Sequence, residues 1–272
     1  MKIGITLRNM GTQSSPELMT AAAAAAEGAG MESIWVTDHI AIPPDDAEGS
    51  GGRYLDPLIT LSVLAGVTQR IKLGTGVLIL PYRPALPTAK QVASLQELSG
   101  ERLLLGVGIG WMDPEFRALG LDRHRRGRDS DAVLSFINRC FADAEDLAEA
   151  NGQPFLFRPN PNPPPIYVGG RAPHALKRAV RHGAGWLPMG GDPDRLSADM
   201  AQLVALAEAA GVAPGPVTLM APLPLDNRPE SEVLLERYAE LGLERLVCAV
   251  RYDTLADYQR LLERISRLKI PS

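Results

Sequence analysis

The sequence predicts a (β/α)8 barrel. Three observations carry that expectation. Short β-rich runs alternate with helical patterns eight times; several of those runs are continuously apolar; and no G-x-G-x-x-G follows the first strand. Continuous apolar runs suit parallel strands covered by helices on one side and a core on the other. The missing fingerprint counts against the runner-up, a doubly wound open sheet. Leu105-Gly-Val-Gly-Ile-Gly110 lies within and after the fourth strand, and its G-x-G-x-G spacing is poor as a dinucleotide motif.

Ile3 to Leu7 reads as strand one. Pro16 to Gly28 is its helix, capped by Ser14 or Ser15, and the Ala21–Ala26 run is best explained as tight helix packing. Ser33 to Val36 is strand two, followed by a Gly/Pro/Asp-rich loop from about Ile40 to Tyr54 and a helix from Pro57 to Gly66. Strand three lies within Ile71 to Leu80, with Leu86 to Leu98 as its helix. Leu103 to Ile109 is strand four, and a charged loop around Asp122 to Arg128 leads into a long helix through Ala150. Asn160-Pro-Asn-Pro-Pro-Pro165 reads as a stiff connection at the bottom face, because proline fixes φ and resists helix. Ile166 to Val168 is strand five, with a helix from Pro173 to His182; Gly185 to Pro188 is strand six, with a helix through Ala210. Val217 to Ala221 and Glu230 to Leu241 form the seventh unit, Leu246 to Val250 and Leu255 to Leu268 the eighth. No boundary divides the 272 residues, so one domain over 1–272 is expected.

A net charge of −4 and 5% aromatic residues exclude a general nucleic-acid binder. Cys140 and Cys248 are far apart in sequence and form no CxxC pair, which suits a reducing compartment. The start is strand-like rather than a leader, and no apolar run approaches membrane-span length, so a cytoplasmic protein without membrane partners is expected. No zinc-type histidine motif, serine-hydrolase elbow or Walker A pattern occurs, and no metal is expected.

Barrel active sites lie at the carboxyl ends of the strands. That rule selects Asp38 and His39 after strand two, the Gly74–Val77 stretch of strand three, Gly108 and Trp111 after strand four, Gly169 to Arg171 after strand five, and Trp186 in strand six. His39 is the candidate acid–base group, since imidazole titrates near neutrality. The plainer alternative is that Asp38 caps a turn and His39 fills a polar loop. Gly169 and Gly170 before a helix start could present free N–H groups to a phosphate, with Arg171 adding a charged fork; a simple glycine turn would look the same. Arg123, Arg125, Arg126 and Arg128 cluster around His124, either for a cofactor phosphate or carboxylated tail or as a solvated face balanced by Asp122, Asp129 and Asp131.

Taken in order, Ser33-Ile-Trp-Val-Thr-Asp-His39, Ile71-Lys-Leu-Gly-Thr-Gly-Val77 with Pro81 and Pro84, Leu95-Gln-Glu-Leu-Ser-Gly-Glu-Arg102, Leu105 to Trp111, Glu115-Phe116, Tyr167-Val-Gly-Gly170 and Gly185-Trp-Leu-Pro188 resemble the bacterial luciferase-like superfamily. Among its branches the chain is most similar to coenzyme F420-dependent oxidoreductases. The resemblance implies a TIM barrel holding F420 or FMN against the ends of strands two to four. It implies a non-prolyl cis peptide at Gly76-Val77, a ring-side pair at Asp38 and His39, and a phosphate turn at Gly169, Gly170 and Arg171. Thr75, Gly108 and Trp186 complete the expected cofactor-binding set. Trp111 stands where the sugar-phosphate dehydrogenase branch has an acid, a departure from that activity.

Four functions follow as expectations. The first is hydride transfer between F420 and a small organic substrate, with His39 as proton donor or acceptor. The second is an FMN-dependent monooxygenase supplied by a separate flavin reductase. The others are a non-catalytic flavin-binding barrel and a flavin-free isomerase or lyase. The resemblance also implies a homodimer.

Overall fold

The computed structural model describes residues 1–142 and 146–271. The chain runs β1 (Lys2–Thr6), α1 (Pro16–Gly28), β2 (Ser33–Val36), α2 (Pro57–Val67), β3 (Lys72–Thr75), β4 (Leu78–Ile79), α3 (Ala85–Leu98), β5 (Leu103–Gly108), α4 (Asp113–Ala118) and α5 (Arg126–Ala142). It continues through β6 (Leu147–Ala150), β7 (Gln153–Leu156), β8 (Ile166–Gly169), α6 (His174–His182), β9 (Gly185–Leu187), α7 (Pro193–Ala209), β10 (Thr218–Ala221), α8 (Arg228–Glu240), β11 (Arg245–Cys248) and α9 (Leu255–Ser266).

The parallel sheet runs β10-β11-β1-β2-β3-β5-β8-β9. Parallel bridges Trp186–Val217 and Met189–Met220 join its last strand to its first, closing the barrel. Eight positions result, with β3 and β4 sharing one, since β3 and then β4 pair with β5. The (β/α)8 expectation holds.

Strand alternation sorts the residues into two cores. Ile3, Ile5, Leu7, Ile34, Val36, Leu103 and Leu105 face the helix layer. Trp35, Leu104, Tyr167, Leu187, Met220 and Val247 fill the barrel interior. Trp35 is the largest of these, and glycine makes room for it: a Cβ on Gly74 would fall 2.2 Å from the indole. At the bottom, buried Arg245 pairs with Glu32 at 2.7 Å and meets Tyr167 and Thr218. Around the barrel, helix caps are met locally: Ser15 accepts from Leu18 N–H, Asp56 from Leu58 and Ile59, and Thr254 forms a capping box with Asp257.

Three expectations need correction. Strand three is two strands, because the chain breaks at Gly76-Val77. The long helix to Ala150 stops at Ala142; Leu147–Ala150 instead pairs antiparallel with Gln153–Leu156, and positions 143–145 fall outside the described residues. Pro173 does not open its helix from within: it precedes His174 and follows a cis peptide. The Pro165 carbonyl accepts from Leu105 N–H of β5 and Asn162 donates to Glu101, which precedes β5, so the proline-rich connection does lie at the bottom. Among the described residues no helix is long and apolar enough to cross a membrane.

Candidate active site

Just past the end of β2, Thr37 meets Asn9, Asp38 meets Ile79 and Arg83, and His39 meets Glu115. His39 reaches the mouth. Its Nδ1 lies 2.8 Å from Oε2 of Glu115, and its side chain is 15% exposed, against 0% for Glu115. The rings of Tyr54 and Trp111 meet it edge-on at 4.9 and 6.1 Å.

Glu115 is held on every side. Ile40 and Ala41 N–H donate to Oε1 at 2.6 and 3.0 Å, and Tyr82 O–H donates to Oε2 at 3.0 Å. Burial pushes this carboxyl up, but the N–H groups of Ala41 and Ile40 and the His39 ring outweigh it, leaving the group below its ordinary value. An ionised carboxylate only accepts, so Nδ1 of His39 carries the hydrogen and Nε2 is the nitrogen left free for chemistry.

Sequence reasoning quoted Glu115-Phe116 but gave Glu115 no role and missed α4. The available signal was a buried-type aromatic beside an acid just after Pro114. Phe116 anchors α4 against Ile79 and Tyr82, and that anchor sets Glu115 under His39. Asn9 was also missed. Fully buried, it receives Thr37 N–H and donates to Thr37 and Leu55 carbonyls at 2.7 and 2.8 Å, tying the ends of β1 and β2 to the loop before α2.

Asp38 faces away from the mouth. Arg83 grips it with both terminal nitrogens at 2.6 and 2.9 Å, and Ile79 N–H adds a third bond at 2.8 Å. Arg83 also reaches Asp56, the α2 cap, at 2.9 Å. Asp38 therefore fixes β4 and α2 rather than meeting a ligand directly. Thr75 is likewise internal, donating to Gly106 carbonyl at 2.7 Å.

The Gly76-Val77 peptide is cis. Val77 turns inward as a partly exposed neighbour of the barrel-interior cluster. Gly108 and Gly169 flank it: a Cβ would sit 2.4 Å from Val77 Cγ2 at the first and 2.6 Å from Cγ1 at the second. These two glycines make space for Val77 itself. With Met220 and Ala249, Val77 forms an apolar floor under the mouth.

Beyond the end of β8, Gly170 carries φ +125° and its carbonyl accepts Trp186 Nε1–H at 2.9 Å. Trp186 is buried and acts as a prop for this turn. Gly170, Arg171 and Trp186 line a cavity of about 230 Å³ with Met189 and Gly190. Arg171 has no carboxylate partner among the described residues.

The arginine cluster is mostly satisfied at home. Arg123 donates to Trp111 carbonyl, Arg126 to Arg123 carbonyl, and Arg125 and Arg128 lie near Asp129. Arg128 also borders a furrow of about 500 Å³ between α5 and α6, lined by Lys177, Arg178 and Arg181, of which Arg178 and Arg181 pair with Asp131. No group of three or more metal-type ligands occurs among the described residues.

The pattern of the luciferase-like monooxygenase family matches residues 1–269. An uncharacterized Mycobacterium tuberculosis protein is 34% identical over 207 residues, spanning 70% of this chain and 71% of the relative. The F420-dependent hydroxymycolic acid dehydrogenase of the same organism is 32% identical over 225 residues, 77% of this chain and 58% of the relative. Among solved structures, an F420-dependent secondary alcohol dehydrogenase superposes with TM-score 0.78 at 15% identity, covering 97% of this chain and 98% of the other. The FMN-bound oxygenating component of 3,6-diketocamphane monooxygenase from Pseudomonas putida superposes with TM-score 0.78 at 14% identity, covering 100% and 99%. At such identities the two superpositions speak for the fold.

Proposed function

The chain belongs to the luciferase-like monooxygenase family, and from that premise we propose that it is an oxidoreductase passing a hydride between coenzyme F420 and a small organic substrate at the barrel mouth. The observation that carries this reading is the buried Glu115 set 2.8 Å from His39 above an apolar floor. The 32% identity to an F420-dependent dehydrogenase supports F420 over FMN.

The residues of the mouth fit a ring bearing a phosphate. Val77, Met220 and Ala249 offer the ring an apolar seat. Trp111 and Met189, 63% and 57% exposed, supply apolar surface that a bound ring would cover. Arg171 and the Gly169–Gly170 backbone suit the phosphate. The basic furrow between α5 and α6 favours a cofactor with acidic groups beyond that phosphate, as F420 has and FMN lacks.

When bound, F420 supplies the ring carbon that gives or accepts the hydride. His39 Nε2 holds the accompanying proton, taking it from a substrate hydroxyl or returning it to a substrate oxygen. Glu115 keeps Nδ1 protonated and steadies the positive ring. The apolar floor excludes water from below.

Anaerobic titration of the purified protein with F420 and with FMN tests the reading. Saturable F420 binding is expected, with alcohol- or carbonyl-dependent F420 turnover that falls in His39→Ala. Tight FMN binding without F420 binding, and oxygen consumption when a flavin reductase supplies reduced FMN, would replace it with the monooxygenase reading.

The homodimer expectation gains support from α2. Leu58, Leu61 and Leu64 are buried, yet Ile59, Val63 and Val67 form a second, exposed apolar stripe on the same helix. That stripe is proposed to pair with its copy across a twofold axis.

A further inference from the structure

Two arginines crown neighbouring strands on the side of the mouth opposite the Gly169–Arg171 turn. β1 and β11 pair in register from Lys2 with Arg245 to Ile5 with Cys248. Arg8 and Arg251 each follow three residues after the last pair, where Arg8 N–H donates to the hydroxyl of Tyr252, the residue next to Arg251. Within and just past these strands, Gly4 abuts Trp35 inside the barrel, and Val247 and Ala249 belong to the interior cluster. Arg8 and Arg251 line one cavity of about 420 Å³ with Tyr252, Asp253 and the α9 residues Asp257, Arg260, Leu261 and Arg264.

The acids nearby are already engaged. Asp257 pairs with Arg260, Asp226 pairs with Arg264, and Asp253 accepts from Gln13 at 3.2 Å. Neither Arg8 nor Arg251 has a carboxylate partner among the described residues. Arg8 spends one terminal nitrogen on Gly49 carbonyl at 3.1 Å, while its Nε is buried without an acceptor. Its backbone N–H fixes it to Tyr252 hydroxyl at 2.9 Å. Two like charges on the wall of one cavity repel, and a buried guanidinium nitrogen without an acceptor is costly. An oxyanion between them removes both penalties with charge-assisted bonds.

We propose that the substrate carries a carboxylate or phosphate, and that Arg8 and Arg251 bind it. The inference rests on the mouth being the redox site. β1 neighbours β2 in the barrel, so the anchored group sits one strand away from His39, on the side away from the proposed cofactor phosphate turn. The acidic group fixes the substrate's orientation toward Nε2.

Calorimetric titration of the full-length protein with inorganic phosphate and with malonate tests the pair, comparing wild type, Arg251→Gln and Arg8→Gln. Arg251 is exposed, so its variant keeps the fold. At least one anion is expected to bind the wild type, about 10- to 100-fold more weakly in Arg251→Gln, with partial recovery in Arg251→Lys. Phosphate and malonate report on the two possible substrate groups. F420 affinity is measured in parallel and should be unchanged in Arg251→Gln. Equal anion binding by wild type and both variants, or no binding of either anion, overturns the proposal. A matching loss of F420 affinity also overturns it, by assigning the arginines to the cofactor. Arginine-dependent anion binding without F420 binding would instead leave this site standing and remove the F420 reading.

Discussion

His39 donates Nδ1–H to Oε2 of Glu115 across 2.8 Å, and Glu115 has no exposed side-chain surface. The bond makes the two residues one unit with unequal duties. Glu115 faces four donors and no solvent; His39 faces the mouth. Replacing Glu115 by Gln keeps the shape but removes the ionised acceptor. Amide N–H groups then favour the other imidazole tautomer, with Nε2 protonated. Turnover should fall about 100-fold or more, as when a triad carboxylate becomes an amide, while F420 affinity stays near wild type. Glu115→Ala strands the Ile40 and Ala41 N–H groups and should cost ~3 kcal/mol in urea unfolding. His39→Ala should cost less. Equal turnover in wild type and Glu115→Gln would remove Glu115 from the machinery.

Acid sensitivity follows from the same carboxylate. Glu115 is held below its ordinary value by Ala41, Ile40 and His39 against the opposing effect of burial. Glu32 is held down by Arg245, and Glu244 by Lys2 and Tyr167, each again against burial. The unfolded chain binds these protons at the ordinary value of 4.5. Below that pH the unfolded state carries more protons than the folded one, so stability rises with pH there. Their contribution is complete above the unfolded value and is lost as pH falls through the lower folded values. Urea unfolding from pH 7 to pH 3 should show an acid limb that is shallower in Glu115→Gln. Identical limbs in both proteins would show that Glu115 titrates alike in the two states.

Much of this geometry was legible in the sequence for a physical reason. Barrel active sites lie at the carboxyl ends of the strands, which selects His39 just past β2. The same rule selects Asp38, yet its partner Arg83 lies 45 positions on and leaves no local trace. Glu115 was hidden similarly: its significance comes from four donors contributed by two other segments, residues 39–41 and Tyr82. Helix α4 is only six residues long, too short for a periodic signal. The helix expected through Ala150 ends at Ala142, and Leu147–Ala150 finds a hairpin partner in Gln153–Leu156, a pairing that helix periodicity does not announce.

Val77 and Gly108 are coupled through space. A methyl on Gly108 would lie 2.4 Å from Val77 Cγ2, closer than unbonded carbons tolerate. Gly108→Ala should therefore destabilise the protein by ~1–3 kcal/mol and weaken F420 binding by displacing the floor. Val77→Ala in the same chain removes the clashing methyls and should restore much of the stability. A double-mutant cycle by urea unfolding should give a coupling of ~1–2 kcal/mol. Strict additivity would mean that the two side chains do not share this space.

Arg83 holds two carboxylates from different elements, Asp38 at 2.6 Å and Asp56 at 2.9 Å. The two acids raise its pKa despite burial, which marks the guanidinium as charged in place. Arg83→Met leaves the buried Asp38 carboxylate without its counter-charge and should cost ~3–5 kcal/mol. Arg83→Met with Asp38→Asn should cost less than Arg83→Met alone, because the stranded charge is gone. A double variant that is less stable than the single one would show that hydrogen bonding rather than charge dominates at this junction.

Helix α2 separates association from folding. Val63 is 54% exposed, between Ile59 and Val67 on the outward stripe, and the barrel-facing Leu61 and Leu64 do not depend on it. A glutamate at a solvent-facing position changes stability by well under 1 kcal/mol. In a self-complementary interface each substitution appears twice, so Val63→Glu sets two buried like charges near one axis. Light scattering should find a dimer in the wild type and a monomer in Val63→Glu, with F420 binding retained because α2 contributes no residue to the floor. A wild type that is monomeric at the highest soluble concentration would assign the stripe no role in self-association.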